Sequence, residues 1–232
     1  MQFNHVNFEY SKLNIEQING PNGRLYQTPE GFKYPSITTV LSCQPKEGLE
    51  KWRDRVGEDE ADKIVKKAAT QGTYIHKLCE DFLNNISLQE LKFRTFFEKD
   101  LFYKLIPILH RIDNIYVQEH RMYSNHLRIA GTVDCVAEFD GKLSIIDFKN
   151  SRKIKRKEYI EHYFMQCAAY AIMFEERYKK PISQIVIIIT VECEQPQYFI
   201  EKRDNYTKKL LVKSIPMSSP NYISIYYFKI YF

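Results

Sequence analysis

What this chain of 232 residues lacks limits it first. It has no CxxC pair. Its five cysteines, Cys43, Cys79, Cys135, Cys167 and Cys193, stand far apart, which argues against a zinc ribbon and against a secreted disulfide framework. It has no run of about 18 apolar residues, so no segment reads as a transmembrane helix. Residues 1–17 hold neither an apolar stretch nor an arginine and carry Glu9 and Glu16 instead, unlike a secretory signal or a transit peptide. These absences set the expectation of a cytoplasmic, reducing compartment with no membrane partner.

What is present is enough apolar material for one sizeable core: 44% of the residues are hydrophobic, and the length favours one domain or a domain with an insertion. The formal charge is +5 and unevenly spread. Arg152, Lys153, Lys155, Arg156 and Lys157 fall within six residues. An isolated basic run is commonly a solvated loop; beside a reactive centre it is the footprint expected for a phosphate backbone.

That centre is legible just upstream. Residues 131–139 and 142–150 are two apolar runs joined by Asp140-Gly141, a strong short-range hairpin signal because a type I′ turn needs positive φ at both central positions. With those two residues as the loop, Phe139 faces Lys142, and the register sets Asp134 opposite Asp147. Opposed residues lie about 5 Å apart at Cβ, and like charges there repel. Alternation puts Lys149 on the face of Asp147. Two repelling carboxylates beside a lysine make sense around a divalent cation, the arrangement of a metal-dependent phosphodiesterase. A purely structural pair of aspartates, or a hydrolase of another phosphoester, are the rival readings.

The surrounding motifs give the pattern a family. Asp134 followed by Asp147-Phe148-Lys149 resembles the D…(D/E)xK signature of the PD-(D/E)xK nuclease superfamily. Gly72-Thr73-Tyr74-Ile75-His76 resembles the GxxxH helix of its RecB-like branch. Glu119 and the strand from Ala130 to Asp134 are similar to that branch's aGTxD region, and Gln166-Cys167-Ala168-Ala169-Tyr170 to its QxxxY helix. Residues 34–41, Tyr-Pro-Ser-Ile-Thr-Thr-Val-Leu, are similar to the PSxTTxL segment of the mitochondrial genome maintenance exonucleases and their phage relatives. The resemblance covers residues 22–205.

The resemblance implies an α/β, restriction-endonuclease-like fold: a mixed central sheet flanked by helices, with an αβββαβ core and an N-terminal helical insertion. It implies Asp134, Asp147 and Lys149 as catalytic residues. His76, Asp134, Asp147 and the Phe148 carbonyl would be ligands of Mg²⁺ or Mn²⁺, with Glu119 as a further candidate. A histidine on an apolar helix face is otherwise commonly a core residue. Gln166, Tyr170, Ser36, Thr38 and the five cations of residues 152–157 are expected to touch substrate. Iron–sulfur members of the branch need clustered C-terminal cysteines, so no cluster is expected here. Cys79, Cys135 and Cys167 fall within apolar elements and read as small core residues.

The expected organisation is a single nuclease domain over residues 1–213. Residues 36–110 form a helical arch or insertion, and residues 115–202 the catalytic core. Residues 1–20 read as a loose arm and residues 24–34 as a hairpin. Ser36 caps a helix. Further helices are expected over 48–69, 73–84 and 87–113, the last ended or bent at Pro107, and over 158–179 and 204–213. Residues 116–123 and 197–202 read as strands, and 184–191 as a buried strand parallel to its neighbour. Residues 214–232 are an atypical tail to which no function is assigned. The reading is a monomeric, metal-dependent DNA exonuclease acting on single strands in replication, recombination or repair. An endonuclease, and a nuclease-fold protein that binds DNA without cutting it, are the alternatives.

Overall fold

The computed structural model describes residues 2–7, 13–20, 23–43, 47–203, 211–214 and 226–229. At its centre is a five-stranded sheet in the order β4-β5-β6-β7-β8, made of β4 (Ile112–Ser124), β5 (Ile129–Phe139), β6 (Lys142–Ser151), β7 (Gln184–Val191) and β8 (Gln197–Lys202). The β6–β7 pair is parallel and the other pairs are antiparallel. Asp140 and Gly141 both have positive φ, 51° and 71°, as the hairpin signal requires. A parallel pair needs a crossover, and α5 (Glu161–Tyr178) supplies it.

Strand β7 shows how the sheet is covered. All of its residues are buried. Ile185, Ile187 and Ile189 pack with Phe164, Ala168, Ala171 and Phe174 of α5. Val186 and Ile188 pack with residues of α3 (Glu58–Leu83) and α4 (Phe96–Leu109) on the opposite face. Period-2 alternation therefore feeds two apolar layers, and the expected mixed sheet between helices is what the structure has. A smaller sheet, β1 (Glu16–Gly20), β2 (Gly23–Gln27) and β3 (Lys33–Pro35), buries Tyr26 and Tyr34 against Tyr123 and Ala130. Ser36 then caps α1 (Ile37–Ser42), its hydroxyl accepting from Thr39 N.

Several expectations change. The helix expected over 48–69 breaks at Gly57, where φ is +89°. α2 (Glu47–Val56) ends there, and α3 then runs unbroken through Gly72 to Leu83. Its apolar half, with Ile75, Leu78, Cys79 and Phe82, lies in the core layer on the sheet. α4 begins at Phe96, not at residue 87, because Thr95 caps it through Glu98 N, and Pro107 falls inside its last turn. The loose arm is stitched down in part: Ile115 bonds Asn4 O and Val6 N, and Phe3 is buried. A register shift in β4 between Asp113 and Val117 takes Ile115 out of the ladder with β5, which leaves it to pair with His5. Of the expected C-terminal helix, residues 204–210 lie outside the described residues. Leu211–Ser214 is instead a strand, β9, paired with β10 (Tyr226–Lys229); residues 215–225 and 230–232 of the tail also lie outside. Among the described residues no helix is long and apolar enough to cross a membrane.

Candidate active site

The site sits where β5 and β6 part. Their ladder runs from Phe139↔Lys142 to Cys135↔Ile146, in the register that the turn predicts, and stops one pair short of Asp134 and Asp147. In place of the next rung, Asp134 Oδ2 accepts a hydrogen bond from Phe148 N at 2.9 Å. A carboxylate thus satisfies a backbone donor that the parting would otherwise leave unpaired. β6 stays paired with β7 through Ser151, and β5 with β4 back to Ile129. The sheet forks.

On the β6 side of the fork, Asp147 is 1% exposed, and Lys149 Nζ lies 2.5 Å from its Oδ2. α5 closes over this pair. Gln166 Nε2 is 3.3 Å from both Asp147 Oδ1 and Tyr170 Oη, and the Tyr163 ring centroid is 5.1 Å from Lys149 Nζ. Tyr163, Gln166 and Tyr170 share one helix face by their i, i+3, i+7 spacing. Tyr163 lies outside the motifs that mark the other site residues, and its place one turn before Gln166 is the signal the sequence holds for it.

On the β4 side, His76 Nδ1 is 3.4 Å from Asp134 Oδ2, and its ring meets Phe148 edge to face. Glu119 lies between Gln118 and His120, which pair with Cys135 and Val133, so it stands level with Asp134. His76, Glu119 and Asp134 each offer a ligand atom, all within 4.8 Å of one another. Glu119, a further candidate by resemblance, is thus a member of the tightest cluster, whereas Asp147 is engaged by Lys149. Glu80 pairs with Lys77 at 3.0 Å.

Two glycines allow this convergence. A Cβ on Gly72 would sit 2.7 Å from Asn150 Oδ1, and one on Gly131 would sit 2.6 Å from Tyr170 Cε1. The first lets α3 approach β6, where Asn150 Nδ2 donates to Ala68 O. The second lets Tyr170 lie against β5. The glycines of the GxxxH and aGTxD patterns thus have a packing reason.

The site holds more negative charge than it neutralises. Burial, then Asp134 and Glu80, push the Glu119 carboxyl up to about 7. Burial also raises Asp147; Lys149 pulls it back and Asp134 pushes it further up. Burial alone would lower the Lys149 ammonium, but Asp147 and Asp134 outweigh it and hold its pKa above the ordinary lysine value. Three carboxylates sharing one lysine suit a divalent cation, which takes hard oxygen ligands and accepts an imidazole.

A family model, PD-(D/E)XK nuclease superfamily, matches residues 44–210. The chain belongs to this superfamily. Among curated proteins it is similar to mitochondrial genome maintenance exonuclease 1 of Homo sapiens, 26% identical over 177 residues, 71% of this chain and 51% of the human protein. The Xenopus tropicalis protein of that name is 28% identical over 180 residues, 71% of this chain and 50% of the relative. The chain spans about half the length of these curated relatives. A crystal structure of a candidate exonuclease from Eubacterium rectale superposes with a TM-score of 0.43 at 15% identity, covering 60% of each chain.

In this superfamily member the remaining expected site residues are spread more widely. Ser36 is buried, and its hydroxyl is occupied with Thr38, Thr39 and the helix cap; Thr38 is exposed beside it. Of the basic run, Arg152, Lys153, Arg156 and Lys157 are exposed and Lys155 is half-buried. Arg152 Nε reaches Glu192 at 4.0 Å, and Lys157 Nζ pairs with the buried Glu201 at 2.6 Å. Lys155 N donates to Gln197 Oε1. Cys79, Cys135 and Cys167 are buried, and burial raises all three thiols.

Proposed function

We propose that this chain is a divalent-metal-dependent DNA exonuclease that hydrolyses phosphodiester bonds of single strands. The observation that carries the reading is the fork itself: a buried Asp147–Lys149 pair set beside the His76, Glu119 and Asp134 cluster. His76, Glu119 and Asp134 would hold Mg²⁺ or Mn²⁺, with Asp147 and the Phe148 carbonyl on the β6 side. Bound there, such an ion supplies Lewis-acid polarisation of the phosphate and a more acidic water.

The protein's own groups do the rest. Lys149 keeps its proton between Asp147 and the Tyr163 ring. It therefore acts as a donor to the phosphate oxygens or to the attacking water and stabilises the charge that develops; general-base work would need it neutral. Gln166 holds Asp147 and Tyr170 in one orientation. The cations of residues 152–157 hold the backbone beyond the site. The arch through which a free end is threaded would come from those parts of residues 36–110 that do not cover the sheet, since the second half of α3 and α4 pack on it, and the working unit is a monomer.

Digestion of end-labelled DNA, single- and double-stranded, linear and circular, with Mg²⁺, Mn²⁺ or EDTA tests this. Linear single strands should be degraded only with metal, while blunt duplex and circular single strands resist. Rapid nicking of circles would replace the exonuclease reading with an endonuclease.

A further inference from the structure

Glu119 departs from the strand that carries it. Its φ is +46°, in the left-handed region that a residue with a Cβ seldom enters. The β4–β5 ladder is interrupted at the same place: Gln118 pairs with Cys135 and His120 with Val133, but Glu119 and Asp134 between them are not paired. We propose that His120 and Tyr178 are positioning residues that latch this irregular backbone and so aim Glu119 at the metal cluster. The proposal rests on the metal-dependent reading above and adds to it two residues that no motif marks.

The interruption moves side chains from one face of the sheet to the other. Val117 and Met122 both lie in the apolar layer under α5, although one is at an odd and the other at an even position. Strict alternation would put them on opposite faces. On β5, Val133 and Val136 share that same layer, again at an odd spacing. Each strand therefore takes one extra residue at the same level, as a β-bulge does in a single strand. The two residues at that step are Glu119 and Asp134, and both carboxylates come to the α3 side, beside His76.

Of the three clustered residues, Glu119 depends most on its backbone. His76 and Asp134 are half-buried, and Asp134 is held by Phe148 N. Glu119 is exposed, and no group among the described residues donates a hydrogen bond to its carboxylate. Its direction is thus set by its own main chain. Left-handed backbone persists at such a residue only where the surroundings over-determine it.

Both chain neighbours of Glu119 are tied down, each to a different helix. Gln118 Nε2 donates to Asn84 Oδ1 at 2.9 Å, and Asn84 is the C-cap of α3, the helix of His76. His120 Nε2 shares a hydrogen bond with Tyr178 Oη at 2.6 Å. Tyr178 ends α5 and packs on Phe174, which is fully buried. The Gln118 contact is exposed to competing water, whereas the far end of the His120 contact is seated in the core, so the latch is His120 with Tyr178. His120 is not itself a ligand, because its imidazole turns to α5 while the cluster lies on the α3 side.

The test is Mn²⁺ calorimetry on the full chain, with melting curves in EDTA alongside. Tyr178→Phe keeps the ring against Phe174 and removes only the hydroxyl. It should weaken Mn²⁺ binding roughly tenfold, the lower end of the loss expected for groups behind a ligand. Glu119→Gln should weaken binding as well, and adding Tyr178→Phe to it should cost little more, since the latch acts through Glu119. A tyrosine that merely supports the fold would lower the melting temperature but take the same factor from both backgrounds. Unchanged affinity in Tyr178→Phe, or an equal loss with and without Glu119→Gln, overturns the latch and leaves the nuclease reading in place. If the expected cycle appears in protein that cleaves no DNA, the latch stands and the nuclease reading falls. If wild-type protein binds no Mn²⁺, both fall.

Discussion

Asp134 Oδ2 accepts the Phe148 backbone N–H at 2.9 Å, so one carboxylate both ends the β5–β6 ladder and faces the His76 imidazole. Asparagine can keep that hydrogen bond through its carbonyl oxygen while losing the charge. Asp134→Asn should therefore fold and fail to cleave. Asp147→Asn should behave likewise, and Lys149→Ala should lower cleavage by about 10²- to 10³-fold, the scale of one lost charge-stabilising donor. Gel assays of end-labelled single strands, with circular dichroism melts alongside, check all three. Full activity of purified Asp134→Asn would remove the assignment.

Glu119 makes the metal-free protein pH-sensitive. Its carboxyl is raised from 4.5 to about 7 in the folded chain, so between those values the folded state binds more protons than the unfolded one. Stability in EDTA should then fall as pH rises from about 4.5 to about 7. Glu119→Gln cannot titrate and should flatten that part of the curve. Parallel melting-temperature profiles of the two proteins would argue against the raised carboxyl.

His76 is the residue for which the structural and the chemical roles differ most clearly in outcome. As a ligand, His76→Ala should weaken Mn²⁺ binding by at least about tenfold in calorimetry, since even changes behind the ligands cost 10- to 100-fold. Unchanged affinity with a lowered melting temperature would make it a core histidine packed on Phe148.

The cations at 152–157 are not equivalent. All but Lys155 are exposed, but Lys157 is paired with Glu201, which is 4% exposed, whereas Lys153 and Arg156 have no ion-pair partner among the described residues. Arg152→Gln, Lys153→Gln and Arg156→Gln together should flatten the single-strand salt slope by about two units. They should weaken binding for all base sequences alike, because charge carries no base code. Lys157→Gln should instead lower the melting temperature more than Arg156→Gln does. Equal melting temperatures would mean that the Lys157–Glu201 pair is not structural.

Much of this was legible because the signals were local. Asp140-Gly141 fixed the register, the β-branched run at 184–191 marked a strand covered on both faces, and Ser36 marked a cap. What escaped depends on distant partners. Nothing near Phe3 or His5 shows that a register shift in β4 frees Ile115 to hold them. Nothing within residues 115–123 shows that Glu119 comes level with Asp134. The break at Gly57 rather than Gly72 could not be read from either glycine alone, because Gly72 is there for Asn150 and not for a turn.

Gly131 and Tyr170 give the sharpest packing test. A Cβ on Gly131 would lie 2.6 Å from Tyr170 Cε1 and 3.0 Å from its Oη, and Tyr170 is 3% exposed in a filled core, so the ring has little room to yield. Gly131→Ala should cost about 1–3 kcal/mol, the usual range for overpacking. Because Tyr170 is joined to Gln166 and through it to Asp147, the displaced ring should also slow cleavage. The remedy is specific: in a Tyr170→Ala background the new methyl has space, so Gly131→Ala should cost much less there. Urea denaturation of the four proteins closes the cycle. Additive losses would show that Gly131 is needed for some reason other than the tyrosine it faces.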